Sequence, residues 1–143
     1  MSDADDPLEA IRRQKRQELQ QQATGSSQPA QADGTPSEPI HIEGRDHFQE
    51  VTSTYDVVLA DFYADWCGPC KMLEPIVEDL ARETDAAMAK VDVDRHQGLA
   101  QQYRVQGVPT MVLFARGEVA EQIGGVREKH ALQTLIERHL HEQ

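Results

Sequence analysis

The chain of 143 residues holds only two cysteines, too few for the disulfide framework of a small secreted scaffold. Basic residues are scarce too. Fourteen Lys and Arg stand against twenty-five Asp and Glu, for a formal net charge of −11, so the basic footprint of nonspecific nucleic-acid binding is missing. Aromatic residues make up 5% of the chain and hydrophobic ones 38%, which predicts that part of it lies outside a packed core. The longest strongly apolar run, Met111 to Ala115, falls far short of the ~20 residues of a membrane span. The start, Met1-Ser2-Asp3-Ala4-Asp5-Asp6, is acidic where a secretory signal is positive, and no apolar segment follows it. These absences predict a cytoplasmic protein with no membrane and no nucleic-acid partner. The acid surplus, with arginine commoner than lysine, suits a halophile's protein kept soluble at high salt. It equally suits an ordinary acidic cytosolic one.

What is present divides into three zones. Asp6-Pro7-Leu8-Glu9 has a capping residue, a proline for the first helical position and an acid for the first turn. Leu8, Ile11, Lys15 and Leu19 then recur at helical spacing, predicting a helical extension over 1–23 with one thin apolar stripe. Its basic run Arg12-Arg13-Gln14-Lys15-Arg16 reads as a small anion patch or as a solvated face paired with Glu9 and Glu18. Residues 24–39 are rich in Gly, Ser, Pro, Gln and Ala without periodicity, the composition of a flexible linker. Residues 40–143 carry 18 of the 25 acids and 10 of the 14 bases, and read as one folded domain.

Within that domain, strands are predicted near Ile40-His41-Ile42, Val57–Tyr63, Ala86–Val93, Thr110–Ala115 and Val119–Ile123. Helices are predicted over Asp46–Ser53, over Lys71–Glu83 following Cys67, near Gly98–Tyr103 and over Arg127–His141. Arg116-Gly117-Glu118 reads as the tight turn of a hairpin. Strand and helix alternate before an antiparallel hairpin, which predicts an α/β fold with a mixed sheet sandwiched by helices.

Both cysteines fall in Trp66-Cys67-Gly68-Pro69-Cys70, at a strand-to-helix turn. A Cys-x-x-Cys there suits dithiol redox chemistry or metal binding, since in a reducing compartment such pairs are seldom structural. The first cysteine stands at a helix N-terminus, where unpaired N–H groups and the positive end of the dipole favour a thiolate. Asp61 interrupts the apolar strand Val57–Tyr63. A central strand flanked by helices has no wet face, so that carboxyl is desolvated, its pKa rises, and it suits proton transfer near neutrality. Lys90 in the next strand is its natural charge partner. Pro109 stands at the entry of the strand from Thr110, where it costs no ladder bond. A cis bond is cheap there, and would aim backbone groups sideways toward a ligand.

Trp66-Cys67-Gly68-Pro69-Cys70-Lys71-Met72 with Pro75, Asp61-Phe62, Lys90, Val108-Pro109-Thr110, Gly117 and Gly124 occur in the order seen in the thioredoxin family, which residues 40–143 resemble. The resemblance implies the thioredoxin fold and a protein-disulfide reductase acting as an electron carrier. It implies Cys67 as the exposed attacking thiol, Cys70 as the buried resolving thiol, Asp61 as proton acceptor and donor, and Lys90 as its neighbour. A shallow apolar surface for substrate backbone is implied at Val93, Gly107, Val108, Pro109, Ile123, Gly124 and Gly125. Trp66 would pack beside the thiols and Pro75 would kink the active-site helix. Gly68-Pro69 between the cysteines marks reductants in this family. The implied partners are a thioredoxin reductase and disulfide-containing proteins, with a monomer expected. No cofactor is expected beyond the redox-active disulfide Cys67–Cys70. Tyr63 stands where many relatives have tryptophan.

Two other uses of the domain compete. A zinc site would need two ligands besides the cysteines; His96 is the nearest candidate by element order, and His139 and His141 on the last helix form no ligand pair on one face and read as exposed. A thioredoxin-like binding module, docking through the N-terminal helix, is the stronger rival.

Overall fold

The computed structural model describes residues 34–141. The helical extension expected over 1–23, and the linker expected over 24–39 except for its last residues, lie outside the described residues. Ser37–Gln143 forms one compact unit. Its elements run β1 (Ile40–His41), α1 (Arg45–Thr54), β2 (Val57–Tyr63), α2 (Gly68–Glu83), β3 (Ala87–Asp92), α3 (Gln97–Gln102), β4 (Thr110–Ala115), β5 (Glu118–Gly124) and α4 (Lys129–Leu140).

These strands form one five-stranded sheet in the order β1-β3-β2-β4-β5. β3 runs parallel to both β1 and β2, whereas β4 is antiparallel to β2 and β5. The mixed sheet is the expected one. Strand alternation sorts the core into two clusters. Val58, Ala60, Phe62, Ala87, Ala89 and Val91 face Phe48 and Val51 of α1 and Leu99 and Ala100 of α3. Val57, Leu59, Met88, Met111 and Leu113 face Leu73, Val77 and Leu80 of α2 and Leu132 and Ile136 of α4. β2 is thus covered on both sides, which is why six of its seven residues are buried.

The few aromatic residues are concentrated where they count. Phe48, Phe62, Tyr103 and Phe114 contact one another at centroid separations of 5.3–6.3 Å, mostly edge-on or tilted, the geometry that ring quadrupoles favour. The hairpin is equally determined by sequence. Ala115 pairs with Glu118, leaving Arg116 (φ 52°) and Gly117 (φ 84°) as a two-residue loop with both φ values positive. Such a loop matches the twist of the strands it joins.

One expectation is corrected. His139 is buried, not exposed, and its Nε2 lies 3.3 Å from Glu121 Oε2 of β5. The α4 periodicity that buries Leu132 and Ile136 also turns residue 139 inward.

Candidate active site

The site lies at one end of the sheet, where β2 and β3 finish and β4 begins. Phe62 pairs with Thr110, so antiparallel β4 starts beside the end of β2. After Tyr63 the chain turns through Ala64-Asp65-Trp66 into α2. Cys67 is the N-cap of that helix: its sulfur accepts the Cys70 backbone N–H at 3.2 Å, and Pro69 occupies the first turn, where no N–H is needed. Cys67 and Cys70 are joined in a disulfide with a Cα–Cα separation of 5.3 Å. Pro75 lies inside α2, which runs on to Glu83.

Burial does not separate the two cysteines as expected. Cys67 is 4% exposed and Cys70 3%, so the exposed attacking thiol is not exposed in the disulfide state. Its sulfur is bonded to that of Cys70, and Tyr63, Val93 and Val108 pack against the pair together with Ala64. Position separates them instead. Cys67 precedes the helix and sits at its positive end. Cys70 opens the buried stripe Cys70, Leu73, Val77, Leu80 that faces the sheet.

The surface residues implied by the resemblance gather at the same end. Val93 and Val108 touch the cysteine cluster, and the Val108–Pro109 peptide is cis. Gly125, at φ 83°, donates its N–H to the Pro109 carbonyl at 2.9 Å, joining the end of β5 to the proline. Gly124 pairs with Thr110 and Ile123 with Met111. The Thr110 hydroxyl donates to the Gly107 carbonyl at 2.7 Å and ties down the loop before the proline. Gly68, Pro69, Gly107 and Gly124 are exposed. Trp66 and Met72 are the large apolar side chains exposed beside the disulfide, at 71% and 65%.

Asp61 lies in β2 at 1% exposure, and neither carboxyl oxygen has a hydrogen-bond partner within the described residues. Burial pushes its pKa up to about 6; Lys90 opposes that rise and Glu74 adds to it. Lys90 stands beside Asp61 in the parallel register. Its contact ion pair is nevertheless with Glu74 of α2, at 3.7 Å, and its ammonium sits 4.5 Å from the Tyr63 ring centroid. The sequence reading missed Glu74 and missed Asp94, whose carboxylate accepts the Trp66 indole N–H at 2.9 Å. Glu74 had a usable signal, four residues after Cys70 and so on a neighbouring face of the helix. Among the described residues no three His, Cys, Asp or Glu cluster as metal ligands.

The thioredoxin family model matches residues 38–138. The chain belongs to the thioredoxin family. It is 41% identical over 101 residues to thioredoxin of Bacillus subtilis (strain 168), covering 69% of this chain and 97% of that protein. A mutant thioredoxin from Halobacterium salinarum NRC-1 has a similar structure, with a TM-score of 0.74, 56% identity, and coverage of 76% of this chain and 96% of that one. That structural neighbour comes from a halophile. A bifunctional thioredoxin reductase/thioredoxin of Mycobacterium leprae is 40% identical over 95 residues, covering 65% of this chain and 21% of that protein. As a thioredoxin-family member the chain is an oxidoreductase acting on protein disulfides, and the Cys67–Cys70 disulfide is its redox-active centre. Among the described residues no helix is long and apolar enough to cross a membrane.

Proposed function

We propose that Cys67 attacks and Cys70 resolves, with Asp61 moving the proton and Lys90 setting the field around it. The observation that carries this reading is the N-cap geometry: the Cys67 sulfur is held at the start of α2 and accepts the Cys70 N–H, where a thiolate is favoured. Reduced Cys67 attacks one sulfur of a substrate disulfide. The substrate S–S bond breaks, a mixed disulfide forms, and the first substrate sulfur leaves as a thiolate that takes up a proton. Cys70 then gives its proton to Asp61, and its thiolate attacks Cys67. The Cys67–Cys70 bond closes, the bond from Cys67 to the substrate breaks, and the second substrate sulfur leaves as a thiolate that takes up the proton held by Asp61. Two electrons pass to the substrate, and the structure represents the oxidised product.

Trp66, Gly68, Pro69, Val93, Gly107, Val108, Pro109, Ile123, Gly124 and Gly125 form the receiving surface in this reading. Their placement around the disulfide supports it. The partners are a thioredoxin reductase, which restores the dithiol, and disulfide-containing proteins met in the cytoplasm by a monomeric electron carrier. The fused reductase and thioredoxin of the Mycobacterium leprae relative support the first of these. No redox group besides the cysteine pair enters the cycle. We assign the reaction to residues 40–143 and an accessory role to the extension and linker. Reduction of insulin disulfides, coupled to NADPH through a thioredoxin reductase, tests the function. Turnover by the full chain and by residues 40–143 alike is expected. Binding to disulfide proteins without turnover would make the domain a docking module instead.

A further inference from the structure

The register of β2 and β3 sets Asp61 beside Lys90. Both side chains emerge on the sheet face covered by α2 and α4, the face of Leu59 and Met88. Two opposite charges so placed would ordinarily close on each other, because a buried carboxylate without a partner is costly. Here they do not. The Lys90 ammonium pairs with Glu74 Oε2 at 3.7 Å and lies over the Tyr63 ring, and among the described residues both Asp61 oxygens stay without a hydrogen bond. The Lys90 side chain is 9% exposed and that of Glu74 45%, so the pair straddles the protein boundary. Glu74 is held there by its neighbours in α2, since Leu73 and Val77 are buried against the sheet.

We propose that Glu74 is a positioning residue for the resolving half-reaction: it holds the Lys90 ammonium toward α2 and so keeps Asp61 out of a contact ion pair. The inference rests on the reading of Asp61 as the proton acceptor for Cys70. A contact pair with Lys90 would stabilise the carboxylate and weaken it as a base. A cation kept at a distance eases the charge on Asp61 without tying up its lone pairs. Among the described residues the groups around Asp61 are few. β3 brings Lys90, with His41 of β1 in register beyond it. α2 carries Glu74 and, one turn earlier, Cys70. Tyr63 of β2 feels the Asp61 charge. β4 sets Met111 beside Asp61, with Thr110 next in the strand, and α4 contributes Leu132 and Ile136, none of which titrates. Burial is the largest influence on Asp61, and Glu74 reinforces it where Lys90 opposes it.

Glu74→Gln keeps the shape and removes the charge. The Asp61 carboxyl titration, followed by carbon-13 NMR, should then move to lower pH by roughly half a unit or more. The acidic limb of the pH profile for mixed-disulfide release should move with it, while the rate of attack by Cys67 stays put. Glu74→Asp should restore most of the titration. In a Lys90→Met background, Glu74→Gln should move Asp61 by less than half as much, because the lysine carries the effect. An unmoved titration, or an equal shift with and without the lysine, overturns the positioning role. Asp61→Asn separates this inference from the reading beneath it. If the acidic limb survives in Asp61→Asn, Asp61 is not the proton acceptor. If it disappears there yet stays unmoved in Glu74→Gln, only the role of Glu74 fails.

Discussion

Trp66 donates its indole N–H to the Asp94 carboxylate at 2.9 Å, across 28 residues of sequence. The ring is 71% exposed, so this bond and not burial orients it beside the disulfide. Asp94 is itself held, because its backbone N–H donates to Asp92 Oδ1 at 2.9 Å in a turn closing β3. Asp94→Ala should free the ring. KM for a protein disulfide should rise about fivefold, the roughly 1 kcal/mol of a typical hydrogen bond, with kcat unchanged. The chain has one tryptophan, so fluorescence anisotropy reports that ring alone, and it should fall. Unchanged anisotropy would show that the bond does not hold the ring.

The two cysteine variants should differ in kind. Cys67→Ser leaves no nucleophile at the helix N-terminus and should neither reduce insulin nor form adducts. Cys70→Ser allows attack and blocks release, so mixed disulfides should accumulate on Cys67. Mass spectrometry of trapped adducts decides the matter. Adducts formed by Cys67→Ser would reverse the assignment.

Asp61 links the site to stability. Its pKa in the folded state, about 6, lies above the ordinary 3.8, so the folded protein holds this proton more tightly than the unfolded chain. The stabilisation is full below about pH 4 and is lost as pH rises through 6. The displacement corresponds to roughly 3 kcal/mol. Asp61→Asn removes the buried charge and should raise stability at pH 7 by about 1–3 kcal/mol, flattening the dependence between pH 4 and 7 while slowing the release step. Denaturant unfolding across that range measures it. A stability that climbs from pH 4 to 7 in the wild type and stays level in Asp61→Asn would contradict the burial argument.

Most of the fold was legible because periodicity and burial agree. β2 and β4 appear over the residues expected, as do the start of β1 and the end of α2, and the other ends differ by one to three residues, where capping and pairing decide. Asp61 was legible as a carboxylate in a strand with no wet face. The ion pair of Lys90 was not, because strand order puts the lysine next to Asp61 and only the packing of α2 brings Glu74 over it. The burial of Cys67 escaped for a similar reason: Tyr63, Val93 and Val108, apart in sequence, come together against the cysteine pair only once the strands are assembled. His139 shows the limit of residue-type priors. A histidine near a C-terminus reads as exposed until α4 is docked, and only then does its turn of the helix face Glu121.

The β4–β5 hairpin offers a test of the fold that leaves the site alone. Gly117 adopts φ 84°, and a Cβ added to it would meet nothing within 4 Å. Any cost of Gly117→Ala therefore comes from the backbone and not from a clash. An L-residue in the left-handed region is disfavoured by about 1–2 kcal/mol, and alanine also narrows the unfolded ensemble, which offsets part of that. The expected loss is about 1 kcal/mol in denaturant unfolding, with insulin reduction unchanged, since the loop lies at the opposite end of β4 from Thr110 and the disulfide. An equal or higher stability in Gly117→Ala would mean that the turn does not need a positive φ at this position. A fall in turnover would mean that the register of β5 carries Gly124 and Gly125 out of place.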